Sequence, residues 1–134
     1  MNDHATNFRL LLAEDEPDLR NFYAEFLQNQ GYKVDLAENG QQALSKLLVT
    51  PYDLVLLDIM MPQMSGLEVL KQLGSAATQP ESIIVLTNVN DDVMIGECVA
   101  LGIHGYIIKS DITPDTFLAR VRAVLQEKQN KDTP

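Results

Sequence analysis

Residues 53–58 read Asp53-Leu54-Val55-Leu56-Leu57-Asp58, and the chain continues Ile59-Met60-Met61-Pro62-Gln63-Met64-Ser65-Gly66. The middle of the first stretch is apolar at every position, so both faces of a strand built from it must be covered. That is the pattern of a central strand in a parallel sheet with helices on both sides. Pro51 separates it from what precedes, and Ser65-Gly66-Leu67-Glu68 has the form of a capping box opening a helix.

Upstream, Arg9-Leu10-Leu11-Leu12-Ala13 is a second short apolar run. It ends in Glu14-Asp15-Glu16, and Pro17 suits the first position of a helix. Leu19, Phe22, Tyr23, Phe26 and Leu27 keep helical spacing, and Gly31 stops that helix. Tyr32 to Ala37 reads as a strand. Asn39 can cap the next helix, which is expected to bury Ala43, Leu44, Leu47 and Leu48. Downstream, Gly74 closes the third helix and Ser75 to Glu81 reads as a loop containing Pro80. Ser82 to Thr87 reads as a strand, Asn90 as the cap of a fourth helix ended by Gly102, and Tyr106-Ile107-Ile108 as the last strand. Thr113-Pro114-Asp115 opens a fifth helix with Phe117, Leu118, Val121, Val124 and Leu125 facing the core; Gln126 to Pro134 is polar and carries no packing signal.

Five strands alternating with five helices predict an α/β fold with right-handed crossovers. The expected form is one doubly wound five-stranded parallel sheet in the flavodoxin-like order 2-1-3-4-5, a (βα)5 unit. The expected domain spans residues 8–127, with 128–134 as a polar tail or the start of a linker.

Composition narrows the function. The 134 residues are 46% hydrophobic, enough for a buried core, with no apolar run of the roughly 18 residues that span a membrane. Ten basic against 19 acidic residues give a net charge of −9, which repels nucleic-acid backbones and suits a cation or a basic partner surface. A single cysteine, Cys98, excludes a disulfide framework, and no secretory signal is visible, so the expected compartment is a reduced cytoplasm.

In the expected strand order, ligands bind at the carboxyl ends of the strands beside the switch point. Those ends carry Glu14 and Asp15 (strand 1), Asp58 (strand 3), Thr87 (strand 4) and Lys109 (strand 5). Crowded carboxylates repel one another unless a cation intervenes, and hard oxygen donors suit Mg²⁺. A nearby lysine and threonine can hold phosphate oxygens, and an aspartate can itself be a nucleophile. The set fits phosphoryl transfer, which depends mainly on positioning and charge neutralisation. Glu16 reads instead as a helix-end charge.

Glu14-Asp15, then Asp58-Ile59-Met60-Met61-Pro62-Gln63-Met64-Ser65-Gly66, then Thr87, then Tyr106-Ile107-Ile108-Lys109, resembles the receiver domain of bacterial two-component response regulators. The resemblance implies that Asp58 accepts a phosphoryl group from a sensor histidine kinase or histidine phosphotransfer protein. It implies Mg²⁺ held by Asp15, Asp58 and the backbone carbonyl of Met60, with Glu14 acting through water. Lys109 would neutralise the acyl phosphate, Thr87 would move to bond it, and Tyr106 would turn inward. The face of helix 4, strand 5 and helix 5 would then switch toward an output partner or effector domain, or toward a phosphorylation-dependent dimer. Such a domain modifies itself and is not a turnover enzyme.

Departures from the family pattern carry information. Ser110 stands where proline usually follows the lysine; cis geometry before a non-proline residue costs about 2.5–4 kcal/mol, so a trans Lys109–Ser110 bond is predicted. Met60 and Val89, two residues beyond Asp58 and Thr87, are apolar and cannot orient an attacking water, and Asn88 is larger than usual; a long-lived aspartyl phosphate follows. A Mg²⁺-dependent aspartyl-phosphate phosphatase is the rival reading, but it needs a second acid where Met60 stands. An FMN-binding module would need a phosphate-cradling loop in place of Glu14-Asp15-Glu16-Pro17.

Overall fold

The computed structural model describes residues 8–74, 82–88 and 91–132, with side chains as far as 127. The strands are β1 (Arg9–Ala13), β2 (Lys33–Ala37), β3 (Leu54–Asp58), β4 (Ile83–Thr87) and β5 (Gly105–Ile108). The helices are α1 (Pro17–Asn29), α2 (Gly40–Val49), α3 (Gly66–Leu73), α4 (Asp92–Ala100) and α5 (Pro114–Asp132), with a 3₁₀ turn over Lys109–Asp111. All strand pairs are parallel, in the order β2-β1-β3-β4-β5. The expected fold class is therefore what forms.

Alternation along each strand splits the core in two. Leu10, Leu12, Leu54, Leu56, Ile84 and Leu86 face one side, under α1 and α5, with Tyr23, Leu27, Phe117 and Val121. Leu11, Val55, Leu57 and Val85 face the other side, with Leu47, Leu67, Val69 and Cys98. All five positions of β3 are buried, as the unbroken apolar run requires.

Several local signals act as read. Asn39 Oδ1 accepts the Gln42 N–H at 2.8 Å, Ser65 Oγ accepts the Glu68 N–H at 3.2 Å, and Thr113 Oγ1 accepts the Thr116 N–H at 3.2 Å. Gly31 and Gly102 follow α1 and α4 with φ of 93° and 92°, where a side chain would be strained.

Other expectations need correction. Phe22 and Leu48 are exposed, not core: the buried stripe of α1 is Arg20, Tyr23, Ala24 and Leu27, and Phe22 lies outside it, edge-on to Phe26 with ring centroids 4.6 Å apart. The cap of α4 is Asp91, one residue after the expected Asn90. Helix α5 continues to Asp132 through the stretch expected to be tail. Asn90, Val89 and Ser75 to Glu81 lie outside the described residues.

Candidate functional site

The strand register assembles the site. Ala13 pairs with Leu57, so Glu14 follows directly beside Asp58; Asp58 pairs with Leu86, and Thr87 pairs with Ile108, the residue before Lys109. Five residues scattered from 14 to 109 thus line up along the carboxyl end of the sheet, beside the switch between β1 and β3.

Lys109 Nζ stands 2.8 Å from Glu14 Oε1 and 2.9 Å from Asp58 Oδ2. The Lys109–Ser110 bond is trans, as predicted, since no peptide bond among the described residues is cis. The 3₁₀ turn that starts at Lys109 carries the chain away while the side chain still reaches Asp58. Glu14 and Asp58 are buried, and apart from the ammonium neither Glu14 Oε1 nor Asp58 Oδ2 has another hydrogen-bond partner among the described residues. Burial, reinforced by the Glu14 carboxyl, pushes Asp58 up from its ordinary value to about 8. Burial works against the Lys109 ammonium, but Glu14 and Asp58 outweigh it and hold Lys109 above its ordinary value.

Glu14, Asp15 and Asp58 each offer a carboxylate oxygen within 4.8 Å of the others. Hard oxygen donors, excess negative charge and buried atoms satisfied only by one ammonium fit a divalent cation such as Mg²⁺. Asp15 is exposed and keeps the site open to solvent. The Met60 N–H donates to Asp58 Oδ1 at 3.2 Å, so the loop after β3 grips the free oxygen of the buried carboxylate. Thr87 is buried, and its hydroxyl donates to Asp91 Oδ2 at 3.1 Å. Tyr106 is 42% exposed.

A family model for the response regulator receiver domain matches residues 10–122. The chain belongs to that family. This receiver domain, of the two-component signalling type, is 38% identical over 124 residues to the response regulator ArlR of Staphylococcus epidermidis, covering 92% of this chain and 55% of ArlR. It is 33% identical over 137 residues to the transcriptional regulatory protein ResD of Bacillus subtilis, covering 98% of this chain and 56% of ResD. The receiver thus spans little more than half the length of these relatives. Its fold matches the CheY-like receiver domain protein of Methanospirillum hungatei with a TM-score of 0.81 at 23% identity, over 92% of this chain and 98% of that one. No helix among the described residues is long and apolar enough to cross a membrane.

One residue of the site escaped the sequence reading. Arg20 is buried in the core stripe of α1, where its guanidinium donates to the Glu14 carbonyl at 2.8 Å and the Asp15 carbonyl at 3.4 Å and pairs with Glu38 at 3.4 Å. The signal was present: Arg20, Tyr23, Ala24 and Leu27 share one helical face, and a cation on an apolar stripe needs a buried partner.

Proposed function

We propose that this receiver accepts a phosphoryl group on Asp58 and responds by changing the face formed by α4, β5 and α5. The observation that supports this best is the buried Asp58 carboxylate with an ammonium 2.9 Å away and two further carboxylates beside it. In this reading an Asp58 oxygen attacks the phosphorus of a phosphohistidine on a histidine kinase or phosphotransfer protein. A P–O bond forms, the P–N bond breaks, and the imidazole nitrogen departs with the electron pair.

Glu14, Asp15, Asp58 and the Met60 carbonyl would hold Mg²⁺. Bound there, the ion supplies positive charge that favours ionised Asp58 and offsets the charge of the phosphoryl oxygens. Lys109 shifts its ammonium from the free carboxylate to the acyl phosphate. Thr87 turns its hydroxyl to a phosphoryl oxygen, and Tyr106 moves inward from its exposed position. The receiver is not a turnover enzyme in this reading: Met60, where a phosphatase would need its second acid, is apolar and half exposed.

The domain would work in the cytoplasm, without binding nucleic acid directly, and would signal to an output partner or effector domain or through a phosphorylation-dependent dimer. The decisive experiment is intact-mass measurement after incubation with acetyl phosphate and Mg²⁺. One phosphoryl increment is expected in the wild type, and none in Asp58→Asn or with EDTA. Equal labelling of wild type and Asp58→Asn would overturn the assignment.

A further inference from the structure

Asp91 is the N-cap residue of α4, and aspartate is among the strongest capping residues because its carboxylate accepts an N–H of the first turn. Here it makes no such bond. Its Oδ2 instead receives the Thr87 hydroxyl at 3.1 Å and the Asn88 N–H at 3.2 Å. Thr87 is buried, and among the described residues the other acceptor for its single proton is the Asn88 carbonyl, at 3.3 Å. The carboxylate is both nearer and charged, and charge-assisted bonds are about twice as strong as neutral ones.

We propose that Asp91 is a positioning residue that holds the Thr87 hydroxyl in a resting place, so that a phosphoryl group on Asp58 must win the Thr87 proton from it. The inference rests on the reading of Asp58 as phosphoryl acceptor. Two acceptors then compete for one proton, and the ligand's affinity is lowered by whatever the resting bond contributes. The exchange also reaches α4: once Thr87 leaves, the Asp91 carboxylate is free to accept an N–H at that helix's start, where it caps nothing at rest.

The test is the affinity of the folded domain for beryllofluoride, a phosphoryl mimic, titrated at saturating Mg²⁺ and followed by amide shifts. Asp91→Ala should bind about three- to tenfold more tightly than wild type, the share of a charged hydrogen bond that the Asn88 carbonyl does not replace. Because Asp91 makes no bond to the first turn of α4, the variant keeps its helix, and the amide spectrum checks this. In a Thr87→Ala background the gain should vanish; removing a negative charge near an anion site would, by itself, help equally in both backgrounds. Asp91→Asn, which keeps an acceptor without the charge, should fall between wild type and Asp91→Ala. An unchanged or weaker affinity in Asp91→Ala, or an equal gain without Thr87, overturns the role of Asp91 alone. Failure of every variant, wild type included, to bind beryllofluoride overturns the phosphoryl-acceptor reading and this inference with it.

Discussion

The Lys109 ammonium lies 2.9 Å from Asp58 Oδ2 and 2.8 Å from Glu14 Oε1, so one cation is shared by two buried carboxylates. Removing one partner of a buried ionic group leaves uncompensated charge and costs about 3–5 kcal/mol. Because the ammonium also holds Asp58 down, Lys109→Met should therefore lose stability of that order in metal-free solution near pH 9.5, where Asp58 is ionised in the wild type, measured by urea unfolding. The double variant Lys109→Met/Asp58→Asn should recover much of it, because only one carboxylate then remains in the site's buried centre. Equal losses in the single and double variants would show that the ammonium contributes packing and not charge balance.

The raised Asp58 carboxyl sets a pH dependence. Its folded-state value, about 8, stands above the ordinary 3.8, so the folded state favours the protonated form. That contribution is complete below pH 3.8 and is lost as pH rises through about 8. Metal-free wild type should lose stability over that range, and Asp58→Asn, which has no proton to lose, should not lose this part. The gap in melting temperature in favour of Asp58→Asn should widen from pH 5 to pH 8.5, by on the order of 10–20 °C. A gap that stays constant with pH would show that the carboxyl is not raised.

Much of this was legible beforehand, for identifiable reasons. The β3 run is uniformly apolar because both its faces are covered, and the acids and Lys109 follow strands whose parallel pairing brings their ends together. What stayed hidden depends on side-chain direction. Leu48 shares the helical spacing of Leu44 and Leu47 but lies past the edge of the buried face, and Arg20 sits on a stripe where an apolar residue is the default. The Asp91 carboxylate turns back to Thr87 and leaves its helix uncapped by a side chain, which residue type alone does not reveal.

Arg20 fixes the backbone that carries Glu14 and Asp15. Arg20→Met keeps apolar bulk but leaves the Glu14 carbonyl without its 2.8 Å donor. A buried acceptor stripped of its bond costs about 1–3 kcal/mol. The variant should also bind Mg²⁺ several-fold more weakly in calorimetric titration of the folded protein, because the acids lose their placement. Reduced stability with unchanged Mg²⁺ affinity would confine Arg20 to a structural role.

Met60 presents a half-exposed thioether beside the acceptor, with no group to align a water against phosphorus. The aspartyl phosphate of the wild type should be long-lived for its class, since a poorly placed nucleophile slows a reaction without altering its chemistry. Met60→Asn should shorten its lifetime, followed by loss of the phosphoryl mass increment after removal of acetyl phosphate. An unchanged lifetime would mean that Met60 does not limit hydrolysis.

Gly66 opens α3, where alanine is ordinarily the better helix former by up to about 1 kcal/mol. Space decides the other way. A Cβ at Gly66 would stand 2.4 Å from the Asp58 carbonyl oxygen and 2.9 Å from the Ile59 Cα. Both are backbone atoms of the segment that carries the acceptor, so neither can swing aside as a side-chain tip would. Overpacking of this kind costs about 1–3 kcal/mol, more than the propensity gain. Gly66→Ala should therefore be destabilised by about 1–2 kcal/mol net. Its labelling by acetyl phosphate should slow as well, because the clash is relieved only by moving Asp58 or α3. Gly74→Ala is the control: its nearest neighbours would be the Lys71 and Leu70 carbonyls at 3.4 and 3.8 Å, ordinary contact distances, at a φ of −57° that alanine adopts freely. That variant should be neutral or slightly more stable, with labelling unchanged. Equal behaviour of the two variants would show that the close approach at Gly66 has no hold on the position of Asp58.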